Sequence, residues 1–106
     1  MGNSIINLMT KSQMRIEKIK DQILPILKQA GVKRSSLFGS YARGDQARGS
    51  DIDILVELPR GSSLLDLIGL EMDLKKAVGK KVDLLTYNSI NLLLKDYIQR
   101  DQIRIL

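Results

Sequence analysis

The sequence predicts an α/β fold of the α+β kind: one small mixed β-sheet with helices packed on it. Three observations carry this. Stretches of helical period at about 10–30, 63–79 and 88–100 alternate with short apolar or alternating stretches at 32–38, 51–58 and 81–86. Gly31, Pro59, Gly61 and Gly79 punctuate the boundaries. The chain has 106 residues, 43% of them hydrophobic and 27% charged, which suits one domain with its own core and leaves no room for a second. A single domain over 1–106 is expected.

The first helix begins after Thr10 or Ser12, either of which can cap it, and runs to about Ala30. Ile16, Ile19, Ile23 and Leu27 share one face of it. Pro25 falls inside this pattern and predicts a kink or a split, and Gly31 is placed to close the C-terminus. Val32 to Phe38 reads as a strand ending at Gly39-Ser40, and Tyr41 to Ser50 as a helical turn followed by a loop.

Asp51 to Leu58 alternates, with Ile52, Ile54 and Val56 on one face and Asp51, Asp53, Leu55 and Glu57 on the other. Ser63-Leu64-Leu65-Asp66 has the form of a capping box with Asp in place of Glu or Gln. Leu67, Leu70, Leu74 and Ala77 or Val78 carry that helix to Gly79. Lys81 to Thr86 is a compact strand, Asn88 to Arg100 a further helix with Leu92, Leu93 and Tyr97 on its face, and Ile103 to Leu106 a short edge strand.

Composition narrows the chemistry. With no Cys and no His, disulfide frameworks, thiolate zinc sites, cysteine nucleophiles and histidine acid–base pairs are excluded. What remains is carboxylates, hydroxyls, Lys, Arg or a hard metal ion. Seventeen Lys and Arg against twelve Asp and Glu give a formal charge of +5, which favours polyanionic ligands or an acidic partner. Phe38 and three Tyr are the only aromatics, so stacking on single-stranded nucleic acid is not expected. The N-terminal residues carry no signal-peptide pattern and no apolar run spans a bilayer, so a cytoplasmic protein without membrane contact is expected.

Asp51 and Asp53 lie at i and i+2 of a strand, so their carboxylates leave the same face. Held together without compensation they repel, and a divalent cation with oxygen ligands, Mg²⁺ or Mn²⁺, relieves the conflict. A solvated strand end is the plain alternative. Asp83 stands between apolar neighbours in Val82-Asp83-Leu84-Leu85. It is either a third ligand, if its strand lies beside that of Asp51, or a side chain on the exposed face of an edge strand. Gly39 allows close backbone approach to a ligand, and Ser40 opens a turn whose N–H groups and hydroxyl can meet a phosphate. Arg43 and Arg48 can neutralise an anionic leaving group or form salt bridges with Asp45 or Glu57. Ser50 can orient a carboxylate or terminate the loop.

The combination is more specific than its parts. Gly39-Ser40, ten intervening residues, Asp51-x-Asp53 and a later strand bearing Asp83 resemble the DNA polymerase β-like nucleotidyltransferase superfamily, and within it the minimal nucleotidyltransferase (MNT) family. GSYARGDQARGSDIDILVEL, from Gly39 to Leu58, carries the signature, and Ser63 to Thr86 looks like the family's helix and third-carboxylate strand.

The resemblance implies a polymerase β-like core in which Asp51, Asp53 and Asp83 bind two Mg²⁺ ions and serve catalysis. Asp83 would also help activate an acceptor hydroxyl. Gly39, Ser40, Arg43 and Ser50 would hold ATP, the substrate. It further implies pairing with a helical HEPN protein as toxin and antitoxin, the MNT member transferring AMP to a tyrosine of its partner. Two other functions stay open: a nucleotide-binding antitoxin that acts by occlusion, and a small-molecule nucleotidyltransferase subunit. A homodimer is also compatible with the sequence.

Overall fold

The computed structural model describes residues 9–47, 49–90 and 101–106. Helix α1 spans Lys11–Gln29, strand β1 Arg34–Phe38, the short helix α2 Gly39–Arg43, strand β2 Ile52–Glu57, helix α3 Leu64–Val78, strand β3 Val82–Thr86 and strand β4 Ile103–Arg104. The sheet order is β3-β2-β1-β4. β1 runs antiparallel to β2 and to β4, while β2 and β3 are parallel, joined through α3. The expected mixed sheet with packed helices is what forms.

Local signals set the helix ends. Thr10 accepts from the Gln13 amide while the Gln13 side chain accepts from the Thr10 amide, a reciprocal capping box. At the other end Gly31 takes φ +76°, the Gly31 amide reaches Lys28 O and the Val32 amide reaches Leu27 O. That is a Schellman closure, and it draws Val32 into the core and delays the strand to Arg34. Ser63 and Asp66 cap α3 in the same reciprocal way, Asp serving where Glu is usual.

Pro25 does not split α1, which is one helix from Lys11 to Gln29. Pro25 and Asp21, one turn before it, are both exposed, so the carbonyl that loses its partner faces the watery side. Ile23 and Leu27, fully buried on the opposite side, hold both halves to the sheet.

One face of the sheet packs on the helices. Ile52, Ile54 and Val56 of β2, Leu37 of β1 and Val82 and Leu84 of β3 join Ile19, Ile23, Leu27, Leu70 and Leu74 in the main core. The other face carries Asp53 and Asp83 beside a smaller cluster of Phe38 and Leu55 with Leu85, Tyr87 and Ile90 against it. Two serines buried in β1 are both satisfied: Ser35 Oγ donates to Leu55 O at 2.8 Å, and Ser36 Oγ pairs with Tyr87 Oη at 2.8 Å.

Tyr87–Ser89 form a 3₁₀ turn that closes at extended Ile90, and most of the helix expected over Asn88–Arg100 falls on residues 91–100, outside the described residues. β4 is an edge strand, as expected. No helix among the described residues is long and apolar enough to cross a membrane.

Candidate active site

The chemistry-bearing residues meet at one end of the sheet because of strand register. β1 ends where β2 begins, pairing Phe38 with Asp53, and the parallel pairing of β2 with β3 sets Asp53 beside Asp83. Adjacent strands lie about 4.8 Å apart, so these two carboxylates stand as near neighbours on the same face. Asp51 precedes β2 by one residue and follows the same alternation.

Gly39 comes next to Phe38, so the start of α2 arrives beside Asp53. Its φ is +73°, and a Cβ built there would run into Asp53 Oδ2. Gly39 is thus required twice over, by backbone conformation and by the carboxylate it must pass. Phe38 gives the N-terminus of α2 no side-chain hydrogen bond. Gly44, at φ +78°, ends the turn after Arg43.

The electrostatics converge on Asp53. Its pKa rises from 3.8 to about 6, first through desolvation, then through the negative charges of Asp83 and Asp51, with Arg43 pulling the other way. A carboxylate that ionises reluctantly, because it is partly withdrawn from water and two others crowd it, is a group that a hard cation would stabilise. Asp51 stands 4.0 Å from Lys81 Nζ. Among the described residues no three Asp, Glu, His or Cys side chains already converge on a single ion position. The fit to Mg²⁺ therefore rests on an all-oxygen donor set and on the raised pKa of its central member.

Several expectations change in detail. Asp83 is exposed on the edge strand β3, so a burial penalty does not explain it; its register opposite Asp53 does. Arg43 Nε binds Asp45 Oδ2 at 3.1 Å, and Arg43 Nη1 lies 4.0 Å from Asp101. The salt-bridge reading therefore holds for Arg43, alongside a place close enough to Asp53 to act on its charge. Ser50 Oγ accepts from the Ala47 amide at 2.8 Å and the Ser50 amide returns to Ala47 O, which makes it a loop terminator. Glu57 pairs with Arg34 at 3.4 Å, and Arg48 lies outside the described residues. Ser40 sits in the first turn of α2, where its carbonyl accepts from the Asp45 amide.

Sequence reasoning passed over Lys80 and Arg15. Lys80 Nζ donates to Tyr41 Oη at 3.1 Å, and with Arg15 it lines a cavity of about 370 Å³ beside α2 and the following loop. The Gly79-Lys80-Lys81 run ahead of Asp83 was the available signal. A cavity of about 960 Å³ lies along α1 and α3 and includes none of the three carboxylates.

A family model described as "Nucleotidyltransferase domain" matches residues 20–105. A protein of Methanocaldococcus jannaschii provisionally named a protein adenylyltransferase is 56% identical over 93 residues, covering 88% of this chain and 100% of that protein. A solved structure provisionally titled a minimal nucleotidyltransferase superposes with a TM-score of 0.74 at 29% identity, over 85% of this chain and 92% of that one. A toxin–antitoxin structure with AMP-PNP superposes with a TM-score of 0.72 at 27% identity, over 82% and 72% of the two chains.

Proposed function

The chain belongs to the nucleotidyltransferase domain family, and from that premise we propose that it is an antitoxin that transfers AMP from ATP to a tyrosine hydroxyl of a HEPN-type helical partner. The observation that carries this reading is the alignment of Gly39, Asp53 and Asp83 across three neighbouring chain segments.

In this reading Asp51, Asp53 and Asp83 hold two Mg²⁺ ions, Mn²⁺ serving as a substitute. When bound, the ions supply positive charge against the triphosphate and its leaving group. Gly39 and Ser40 present backbone N–H groups and a hydroxyl to the β- and γ-phosphates. Arg43 adds positive charge on the same side. Asp83, exposed at the sheet edge, accepts the proton of the incoming hydroxyl. The acceptor oxygen bonds to the α-phosphorus, the bond from that phosphorus to the bridging oxygen breaks, and pyrophosphate departs. The relatives support the reaction class through the adenylyltransferase name and the partnership through the toxin–antitoxin structure.

The test is incorporation of label into the cognate partner from ATP labelled at either the α- or the γ-phosphorus. Label from the α position alone, lost with Asp53→Asn, is expected. Label from the γ position would mean phosphoryl transfer in place of AMP transfer, and an inhibited partner without label would favour occlusion; either would overturn the reading.

A further inference from the structure

Lys80 stands just before β3, with its Nζ donating to Tyr41 Oη at 3.1 Å and lying 5.5 Å from the centre of that ring. Tyr41 belongs to the main core and is 4% exposed, so the lysine reaches a buried hydroxyl of α2. The hydroxyl uses only its acceptor there. Its own proton has no acceptor among the described residues.

The first turn of α1 closes the other side. Gly44 ends α2 at φ +78°, and a Cβ there would come within 3.2 Å of Ser12 Oγ, so the loop after α2 lies close against α1. Arg15, three residues beyond Ser12, is on the same side of the helix. It meets Tyr41, Gln46, Gly49 and Lys80 around the cavity of about 370 Å³. The cavity therefore joins α1, the loop that leads into β2 and the turn that leads into β3. It lies on the helix side of the sheet, whereas Asp53 and Asp83 stand on the other face, and none of the three carboxylates lines it.

The wall is rich in donors. A guanidinium, an ammonium and a phenolic O–H border one space, and none of the three groups has an anionic acceptor among the described residues. No described carboxylate lines the cavity or pairs with Arg15 or Lys80. Two cations on one cavity repel each other until an anion joins them. Gln46, on the same wall, buries its amide oxygen without a partner, so contacts within the chain leave this part of the loop unsettled. A group with several acceptor oxygens and negative charge is what such a donor set fits.

We infer that this cavity binds the phosphate group of a small phosphate monoester, with Arg15, Lys80 and the Tyr41 hydroxyl as its donors. Free phosphate offers the same oxygens. The cavity, however, is several times the volume of that ion and leaves room for an organic remainder. This inference does not rest on the reaction proposed above, since it involves neither the carboxylates nor a metal ion.

Isothermal titration calorimetry of the full chain in chelator tests it, with ribose 5-phosphate, inorganic phosphate and ribose as probes. Ribose 5-phosphate is a monoester with neither base nor diphosphate. It should bind at one site, more tightly than inorganic phosphate and more weakly at high salt, and ribose should not bind. Arg15→Gln should weaken its binding about tenfold or more, the loss of a charge-assisted hydrogen bond. Arg15 is exposed and unpaired among the described residues, so that variant should melt like the wild type. Lys80→Gln should weaken binding likewise, and so should Tyr41→Phe, which leaves no hydroxyl orphaned. Ser40→Ala should bind as the wild type does. Absence of saturable binding would overturn the proposal, as would undiminished binding in Arg15→Gln or equal affinity for inorganic phosphate. Binding weakened in Ser40→Ala and kept in Lys80→Gln would place the phosphate at the start of α2 and overturn it too.

Discussion

Replacing Gly39 by Ala should cost stability in two separable ways, and a double-mutant cycle can divide them. The φ of +73° puts the residue in the left-handed region, where a side chain costs about 1–2 kcal/mol. The new Cβ also collides with Asp53 Oδ2, forcing the short, partly buried carboxylate off its rotamer for about 1 kcal/mol more. Gly39→Ala should therefore lose about 2–3 kcal/mol in urea unfolding. In an Asp53→Ala background the oxygen is gone, and the remaining Cβ at 3.4 Å is in ordinary contact. There the same replacement should cost only about 1–2 kcal/mol, leaving a coupling of about 1 kcal/mol between the positions. A coupling indistinguishable from zero would refute the claim that Gly39 exists to make room for this carboxylate.

In chelator, wild-type stability should fall as pH rises, because the folded state holds the Asp53 proton up to about pH 6 and the unfolded chain only to about 3.8. Full burial would make that difference about 3 kcal/mol; with water reaching the carboxylate about 1–2 kcal/mol is expected. Thermal melts of wild type and Asp53→Asn should thus converge near pH 4 and separate in favour of the variant above pH 6; parallel curves would contradict the desolvation of Asp53 and its crowding by Asp83 and Asp51. Tyr87→Phe removes the hydroxyl that pairs with buried Ser36 and should cost about 1 kcal/mol in urea unfolding, with nucleotidyl transfer unchanged. Loss of transfer in that variant would extend the site to the Ser36–Tyr87 pair.

The fold was legible where periodicity is local. The alternation from Ile52 to Glu57 anticipated both the buried side and the carboxylate side of β2, and the Thr10 and Ser63 caps announced their helices. The site was legible only as a spacing. That Asp53 stands beside Asp83 is a fact of parallel pairing between segments thirty residues apart, which no local pattern encodes. Of the two readings open for Asp83, the exposed face of an edge strand is the one observed, and the strand register still sets it beside Asp53. Pro25 misled because its helix-breaking cost depends on which side it faces, and that side is set by tertiary packing. Gly39 was singled out for approach to a ligand, whereas what it visibly approaches is the Asp53 carboxylate.

The most direct test of the central claim is intact-mass spectrometry of the cognate HEPN-type partner after incubation with this chain, ATP and Mg²⁺. The account predicts mass increments of whole AMP groups that map to tyrosine, disappear in chelator, and are absent when Asp51→Asn or Asp53→Asn replaces the wild type. A partner that stays at its unmodified mass yet is still silenced would contradict it.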